Sequence, residues 1–207
     1  MNEKNSLGLD ECFLDLDNPL ELFKKWIEKA KETEINDHDA LSLATTTKSG
    51  KPSVRMVLLK EINEKGFIFY TNLESTKSLD LKENPQASMC FYWKSLLRQV
   101  TINGIVNKVT DQDSDRYFNS RSYGSQIGAW ASNQSKVLKS REHLLKKVEE
   151  YKKKFPDPKN VPRPSHWSGW CLIPHSIEFW LRGENRIHER LKYDKSITGW
   201  NKIMLNP

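Results

Sequence analysis

The hexapeptide R-M-V-L-L-K at residues 55–60 is the stretch from which the fold of this chain can be worked out. Its apolar run, Val57 to Leu59, predicts a strand that is buried on both faces. A cation stands at each end of the run, and buried strands seldom carry such charges unless an anion neutralises them. Phosphate suits Arg55 and Lys60, because arginine binds it with two parallel hydrogen bonds and lysine meets it as a point charge. The alternative is that both are surface charges on an edge strand.

The next apolar segment along the chain points to the same kind of ligand. Residues 67–71 predict a strand that ends in polar residues and runs into Ser75, Thr76 and Lys77. This arrangement places hydroxyl groups and a third cation at the start of a helix. Free backbone N–H groups and the helix dipole also favour an anion at such a position.

The composition bounds the class of protein. The chain has 207 residues, of which 37% are hydrophobic and 29% charged, and this predicts a globular domain with a real core. No apolar run is long enough to span a membrane. Three widely spaced cysteines indicate free thiols and a reducing cytoplasm rather than a disulfide framework. The net charge of +6 permits nucleic-acid binding, and it equally fits an enzyme that acts on phosphorylated small molecules.

Outward from the hexapeptide, the pattern predicts one α+β domain over residues 18–207, preceded by a mobile segment over residues 1–17. Asn18 and Pro19 begin a helix that ends near Thr33. Residues 41–71 predict an antiparallel meander, and two longer strands follow at 87–93 and 97–110, with a bulge at Gly104. Helices are predicted at 111–119, at 125–131 and from the cap Ser140. Strands then resume at 169–173, 176–182, 186–193 and 200–205, which favours a small barrel with a helical insert.

A second phosphate cradle is predicted at the first of these helical segments. Tyr117 and Arg121 stand one helical turn apart, so they point the same way if the helix continues that far. Ser125 follows at the start of the next helix. A phenol, a guanidinium and a hydroxyl that converge would bind phosphate. The alternative is an ordinary tyrosine–arginine pair on a helix surface.

A cationic strip is predicted in the last hairpin. On a strand, Arg186, His188 and Arg190 would share one face, with Trp180 nearby. The positive charges of such a strip repel one another, so either an anionic ligand covers it or it faces solvent.

Several common site motifs are absent from the sequence. Neither a dinucleotide-binding glycine motif nor a P-loop is present, and the five histidines lack metal-ligand spacing. We therefore expect no metal site.

Taken together, the motifs resemble those of the pyridoxamine 5′-phosphate oxidase family. The resemblance runs in order from about Pro19 to the C-terminus, and each motif is short. The motifs are R-M-V-L-L-K at 55–60, F-Y-T-N at 69–72, R-Q-V at 98–100, S-Q-I-G-A-W at 125–130 and R-I-H-E-R at 186–190.

The resemblance implies an FMN-binding split β-barrel, antiparallel with flanking helices, that works as a homodimer with its cofactor sites at the subunit interface. It implies oxidation of pyridoxamine or pyridoxine 5′-phosphate to pyridoxal 5′-phosphate, with O2 as acceptor and H2O2 released. No nucleic-acid or membrane partner is implied. The implied FMN contacts are Arg55, Met56, Val57, Leu58, Leu59, Lys60, Tyr70, Thr71, Thr76, Lys77, Gln99, Gln134, Ser135, Trp180 and Arg190.

The resemblance also assigns the substrate. Its phosphate would meet Lys60, Tyr117, Arg121 and Ser125, while the catalytic pair Arg186 and His188 would lie against the pyridine ring. One departure from the family pattern is Thr76, because the family usually has arginine there.

Two other functions stay open. One is a flavin-binding split-barrel protein with another reductive or sequestering role. The other is a basic barrel that binds nucleic acid through Trp93, Trp130 and the lysine-rich helix that Ser140 caps.

Overall fold

One curled antiparallel sheet organises the chain in the computed structural model, which describes residues 4–207. Within these residues it has nine strands, in the order β2-β1-β5-β6-β7-β4-β3, while β8 pairs with β7 and β9 pairs with β8. The strands are β1 Ala40–Thr46, β2 Pro52–Leu58, β3 Glu61–Ile62, β4 Phe67–Asn72, β5 Gln86–Trp93, β6 Arg98–Lys108, β7 Trp167–Leu181, β8 Glu189–Ser196 and β9 Gly199–Met204.

Within the described residues five α-helices flank the sheet: α1 Pro19–Thr33, α2 Thr76–Glu83, α3 Asp111–Ser120, α4 Tyr123–Ala131 and α5 Arg141–Lys154. The predicted caps Asn18 and Ser140 are confirmed, and Thr110 caps α3 in the same way, because each side chain accepts a hydrogen bond from a backbone N–H in the first turn. Helix α1 buries Leu22, Phe23 and Trp26 in the barrel. The helices α3 and α4 pack beside the sheet and carry part of the site described below.

The long strand β7 divides the sheet into two parts. Its first half pairs with β4 and its second half pairs with β8, while β6 runs along the other edge. The two strands predicted at 169–173 and 176–182 are therefore one strand. Pro174 lies opposite Gly104, where the register shifts, so its missing N–H falls at the bulge. The predicted bulge is confirmed.

The predicted meander is correct in part. Strand β2 pairs with β1, and β3 pairs with β4 across the turn at 63–66, so both hairpins form. The second hairpin is short, however, and β4 pairs along its whole length with β7 from the far end of the chain. Local alternation of residue types predicts strands without saying which strand each one meets. As a result β2 is an edge strand of the sheet.

The hexapeptide is not buried on both faces, so that prediction is wrong for the single chain. Strand β2 ends at Leu58, and its outward residues Val54, Met56 and Leu58 are 70%, 62% and 39% exposed. Arg55 and Val57 lie on the inner side and are half-buried. An apolar run predicts that a strand is shielded from water, but it does not tell whether the shielding surface belongs to the same chain or to another molecule.

The segment before α1 is packed on the barrel, which differs from the expected mobile segment. Phe13 is fully buried, the Trp26 indole donates to the Cys12 carbonyl (2.7 Å) and the Tyr193 hydroxyl donates to the Leu16 carbonyl (2.8 Å). These contacts need no regular secondary structure, so no helical or strand periodicity in the sequence predicts them. Residues 1–3 of the predicted segment lie outside the described residues. No helix in the described part is long and apolar enough to cross a membrane.

Candidate functional site

A pocket of about 540 Å³ opens between the edge strand β2, strand β4, the start of α2 and the end of α3. It gathers most of the sequence-predicted site residues, including members of both predicted phosphate cradles. Its lining consists of Arg55, Met56, Val57, Leu58, Lys60, Tyr70, Thr71, Thr76, Lys77, Tyr117, Arg121, Gln134, Ser135 and Trp167.

Two cations form the first cradle. Arg55 donates from Nη1 to the Leu43 carbonyl (3.1 Å) and to Thr45 Oγ1 (2.8 Å). Buried Lys77 donates from Nζ to the hydroxyls of Thr71 and Ser75, both at 3.2 Å. Burial lowers the pKa of Lys77, and the charge of Arg55 lowers it further. A buried and a half-buried cation that repel each other make a site where a bound anion would relieve the repulsion.

The second cradle centres on Arg121. Helix α3 ends at Ser120, so Arg121 follows in extended backbone and does not share a helix face with Tyr117 as predicted. Both still line the pocket. The Arg121 guanidinium lies 4.9 Å from the centre of the Trp167 ring, and its buried Nη1 has no hydrogen-bond partner among the residues that the structure describes. Burial lowers the pKa of Arg121. An unpartnered buried donor indicates a place for an acceptor atom of a ligand.

Three nearly parallel aromatic rings line the pocket beside this cradle. The centre of the Tyr70 ring lies 4.0 Å from that of Tyr117 and 5.4 Å from that of Trp167, and the Tyr117 and Trp167 centres are 6.1 Å apart. The Tyr70 hydroxyl donates to Glu61 (2.9 Å), and Glu61 also pairs with Arg116 (2.8 Å). Burial and this hydrogen bond raise the pKa of Tyr70, so its hydroxyl stays protonated. The sequence reasoning missed Trp167, which follows the proline-rich connector.

The remaining predicted residues near the pocket differ in their placement. Lys60 pairs with Asp39 (2.8 Å), and Thr71 donates to Gln134 Oε1 (3.4 Å). Ser125 lines an adjoining pocket of about 350 Å³, which shares Arg121 with the first. The side chain of Leu59 packs in the core.

A second group of predicted residues lies away from the pocket. Gln99, Trp180 and Arg190 are direct neighbours across β6, β7 and β8. Arg190 pairs with Glu178 (2.7 Å), and this hydrogen bond raises its pKa. Opposite residues of an antiparallel pair share a face, so the three side chains form a row on one face of the sheet.

Arg186 and His188 do not lie on a strand, so the predicted cationic strip is wrong in its geometry. A short 3-10 helix, Glu184–Arg186, precedes β8, and Arg186 has a positive φ of 65°. The His188 ring lies 4.7 Å from the Trp180 ring, and the Gly183 N–H donates to His188 Nδ1 (3.2 Å). A Cβ at Gly183 would lie 1.7 Å from the Ile187 carbonyl oxygen, so only glycine allows this tight turn.

The face that carries Gln99, Trp180 and Arg190 also carries exposed apolar side chains. Tyr92 lies opposite Gln99 and is 54% exposed. Cys90, two residues before Tyr92 on the same face, lies opposite Ser42, which in turn lies opposite the exposed Met56 of the edge strand. Exposed apolar side chains that adjoin on one face mark a surface which another protein surface can cover.

Comparison with known proteins gives two matching family models. Residues 27–155 match pyridoxamine 5′-phosphate oxidase, and residues 167–207 match the pyridoxine 5′-phosphate oxidase C-terminal dimerisation region. A pyridoxine/pyridoxamine 5′-phosphate oxidase of Pelagibacter ubique is 61% identical, with 100% of both chains covered. That of Allorhizobium ampelinum is 47% identical, over 94% of this chain and 95% of the relative.

Two solved structures share the fold. PhzG from Burkholderia lata, in complex with tetrahydrophenazine-1-carboxylic acid, is 31% identical with a TM-score of 0.89, over 95% of this chain and 96% of the other. A pyridoxamine 5′-phosphate oxidase-related, FMN binding protein from Nostoc punctiforme is 18% identical with a TM-score of 0.72, over 91% and 98%. The predicted antiparallel split-barrel fold is thereby confirmed.

Proposed function

The chain belongs to the pyridoxamine 5′-phosphate oxidase family, and from this premise we propose that it oxidises pyridoxamine or pyridoxine 5′-phosphate to pyridoxal 5′-phosphate. FMN is the cofactor, O2 is the acceptor and H2O2 is released. One observation carries the proposal: the pocket has two separate cationic positions, one at Arg55 and Lys77 and one at Arg121. A phosphorylated cofactor and a phosphorylated substrate need two such positions.

The residues present fit FMN. Its phosphate suits the first cradle, because buried Lys77 donates to two hydroxyls and the exposed Thr76 adds a further hydroxyl at the start of α2. Gln134 and Ser135 lie at the same pocket and offer polar contacts. When bound, FMN supplies the acceptor for the hydride that leaves the substrate. The protein itself then has to bind, orient and exclude water.

The substrate phosphate suits the second cradle. Arg121 Nη1 lacks a hydrogen-bond partner in the described part of the chain, Tyr117 lines the same pocket, and Ser125 lines the adjoining pocket that Arg121 shares. Lys60 can serve this phosphate if it shares its charge between the ligand and Asp39. This set of donors favours a phosphate, which accepts more hydrogen bonds than a carboxylate does.

The missing half of the site is supplied by a second copy of the chain. Gln99, Trp180, Arg190, Arg186 and His188 lie outside the pocket of the single chain. Gln99, Trp180 and Arg190 lie on the open face of the sheet, and Arg186 and His188 lie in the turn beside it. All of them except Gln99 belong to the region that the dimerisation model matches, and Gln99 lies on the neighbouring strand β6. A homodimer formed through this face would cover the apolar side chains and bring this group to the partner's pocket.

The reacting end of the substrate is assigned to Arg186 and His188. The hydrogen bond from Gly183 N–H makes His188 Nδ1 an acceptor, so the proton of the neutral ring is on Nε2. His188 therefore presents a donor, and Arg186 presents a fixed positive charge that stabilises negative charge developing on the pyridine ring. The free cysteines agree with a cytoplasmic enzyme.

The proposal is tested by turnover. Purified protein with FMN should convert pyridoxine 5′-phosphate to pyridoxal 5′-phosphate with one peroxide released per product, followed by absorbance and a peroxide assay. Unphosphorylated pyridoxine is the matched control and should react poorly. Turnover of tetrahydrophenazine-1-carboxylic acid instead, as the similarity to PhzG allows, would overturn the substrate assignment.

The proposed dimer leads to a first testable prediction. Val54→Asp places a charge on the open face without touching the pocket lining, so it should yield monomers that bind FMN weakly. Light scattering and FMN fluorescence quenching measure both effects. Ile35→Asp, at a residue that is 94% exposed outside this face, is the control and should change neither. A Val54→Asp monomer that binds FMN fully would contradict the two-subunit site.

Thr76 makes a second expectation, because arginine is usual there in relatives. Thr76→Arg should tighten FMN by about 1 kcal/mol, and the gain should shrink in high salt since it is partly Coulombic. Leu79→Arg adds the same charge to α2 but does not line the pocket, so it should give a smaller gain. If Thr76→Arg binds FMN no more tightly at low salt, position 76 does not serve the phosphate.

A further inference from the structure

A buried carboxylate lies behind the first cradle, and none of the roles assigned so far uses it. Asp80 on α2 is 6% exposed and does not line the pocket. Its Oδ2 accepts a hydrogen bond from Thr45 Oγ1 (2.7 Å) and lies 3.9 Å from Arg55 Nη2. Thr45 Oγ1 in turn accepts from Arg55 Nη1 (2.8 Å). Asp80, Thr45 and Arg55 thus form a continuous chain from the helix to the pocket.

This chain restricts where the Arg55 guanidinium can point. Nη1 is held by the Leu43 carbonyl and by Thr45, and Nη2 faces Asp80. Because a guanidinium is planar and its donors are fixed in a fork, holding one side of it aims the other side. Arg55 also lies close enough to Lys77 to lower its pKa, so without Asp80 the two cations would repel each other more freely.

We propose that Asp80, acting through Thr45, is a positioning residue that aims Arg55 at the phosphate of the cofactor. It thereby sets the preference of the pocket for a phosphorylated flavin over its unphosphorylated form. The inference rests on the proposed use of FMN. It adds a residue that touches neither cofactor nor substrate but controls one that does.

Three explanations of Asp80 give different outcomes in one measurement. If Asp80 positions Arg55, its loss weakens FMN and leaves riboflavin, which has no phosphate, nearly unchanged. If Asp80 acts only as a nearby negative charge, its loss tightens FMN, because the phosphate then meets less repulsion. If Asp80 only anchors α2 to β1, its loss weakens both flavins equally.

The experiment compares FMN and riboflavin affinities of the unmodified chain and Asp80→Asn by fluorescence quenching. Asparagine keeps the shape and an acceptor for Thr45 but removes the charge. We expect FMN to weaken at least about tenfold, as for the loss of one charged hydrogen bond, and riboflavin to change less than about twofold. Glu83→Gln removes an exposed charge from the same helix and should alter neither affinity.

Two further variants keep the test decisive. Thr45→Val breaks the chain without touching a charge and should also lower the FMN-to-riboflavin ratio, while Thr45→Ser should restore it. In an Arg55→Ala background, Asp80→Asn should weaken FMN no further, since the residue it positions is gone. Equal weakening of both flavins, or tighter FMN binding, overturns the inference. Failure of the unmodified chain to bind FMN would instead overturn the proposed function.

Discussion

Replacing Arg121 with alanine should raise the Michaelis constant for pyridoxine 5′-phosphate at least about tenfold while FMN affinity changes less than about twofold. The physical reason is the buried Nη1 of Arg121, which has no hydrogen-bond partner within residues 4–207 and is available to a phosphate oxygen. The first cradle, around Lys77, is made by different side chains and stays intact.

Steady-state kinetics and FMN titration on the same preparations separate the two cradles. Arg121 also lies against the Trp167 and Phe118 rings, so thermal unfolding of the variant has to be measured beside its kinetics. Arg141→Ala removes an exposed arginine from the start of α5 and serves as the control. If Arg121→Ala weakens FMN and substrate equally, the two cradles have been assigned to the wrong ligands.

Replacing Arg186 with alanine should lower turnover about a hundredfold while FMN remains bound, as for the loss of one group that stabilises charge in the transition state. Arg186 has a φ of 65°, so alanine there adds backbone strain in addition to the lost charge. Arg186→Gly removes the charge without strain, because glycine tolerates this conformation. Both variants should therefore be slow.

The control for this comparison is Arg182→Ala, at an exposed arginine just before the turn. Stopped-flow measurement of substrate oxidation, with FMN content read from absorbance, isolates the chemical step from cofactor loss. Restored turnover in Arg186→Gly would show that the turn conformation matters and the charge does not. Unchanged turnover in both variants would remove Arg186 from the reaction site.

Much of the pocket could be predicted from sequence because its parts are local. The cations Arg55 and Lys77, the polar end of β4 and the start of α2 lie within one short stretch, and each follows from strand period or capping chemistry. Arg121 was found by residue type although the helix ended before it. The position of Arg121 at the pocket was therefore predicted correctly, although the helix geometry predicted for it was wrong.

What sequence could not provide was long-range or conformational. The pairing of β4 with β7 joins segments far apart in the chain, and Trp167 reaches the pocket only through that pairing. Asn185 and Arg186 adopt positive φ although neither of them is a glycine. Asp80 looks like an ordinary acid of a surface helix until β1 is placed against it. The exposure of the edge strand β2 could not be predicted either, because the surface that would cover its apolar side chains is not part of the single chain.

If Lys77 binds the cofactor phosphate as proposed, its buried ammonium links cofactor supply to the amount of folded protein. Burial lowers the pKa of Lys77 in the fold below its ordinary value of 10.5, so between these two values the unfolded chain binds more protons and the stability of the empty protein rises with pH. While Lys77 is protonated, its burial therefore destabilises the empty fold. An anion held by Lys77 removes this penalty, and binding then draws chains from the unfolded population by mass action. A cell short of the flavin phosphate would accumulate less folded enzyme even with unchanged synthesis of the chain.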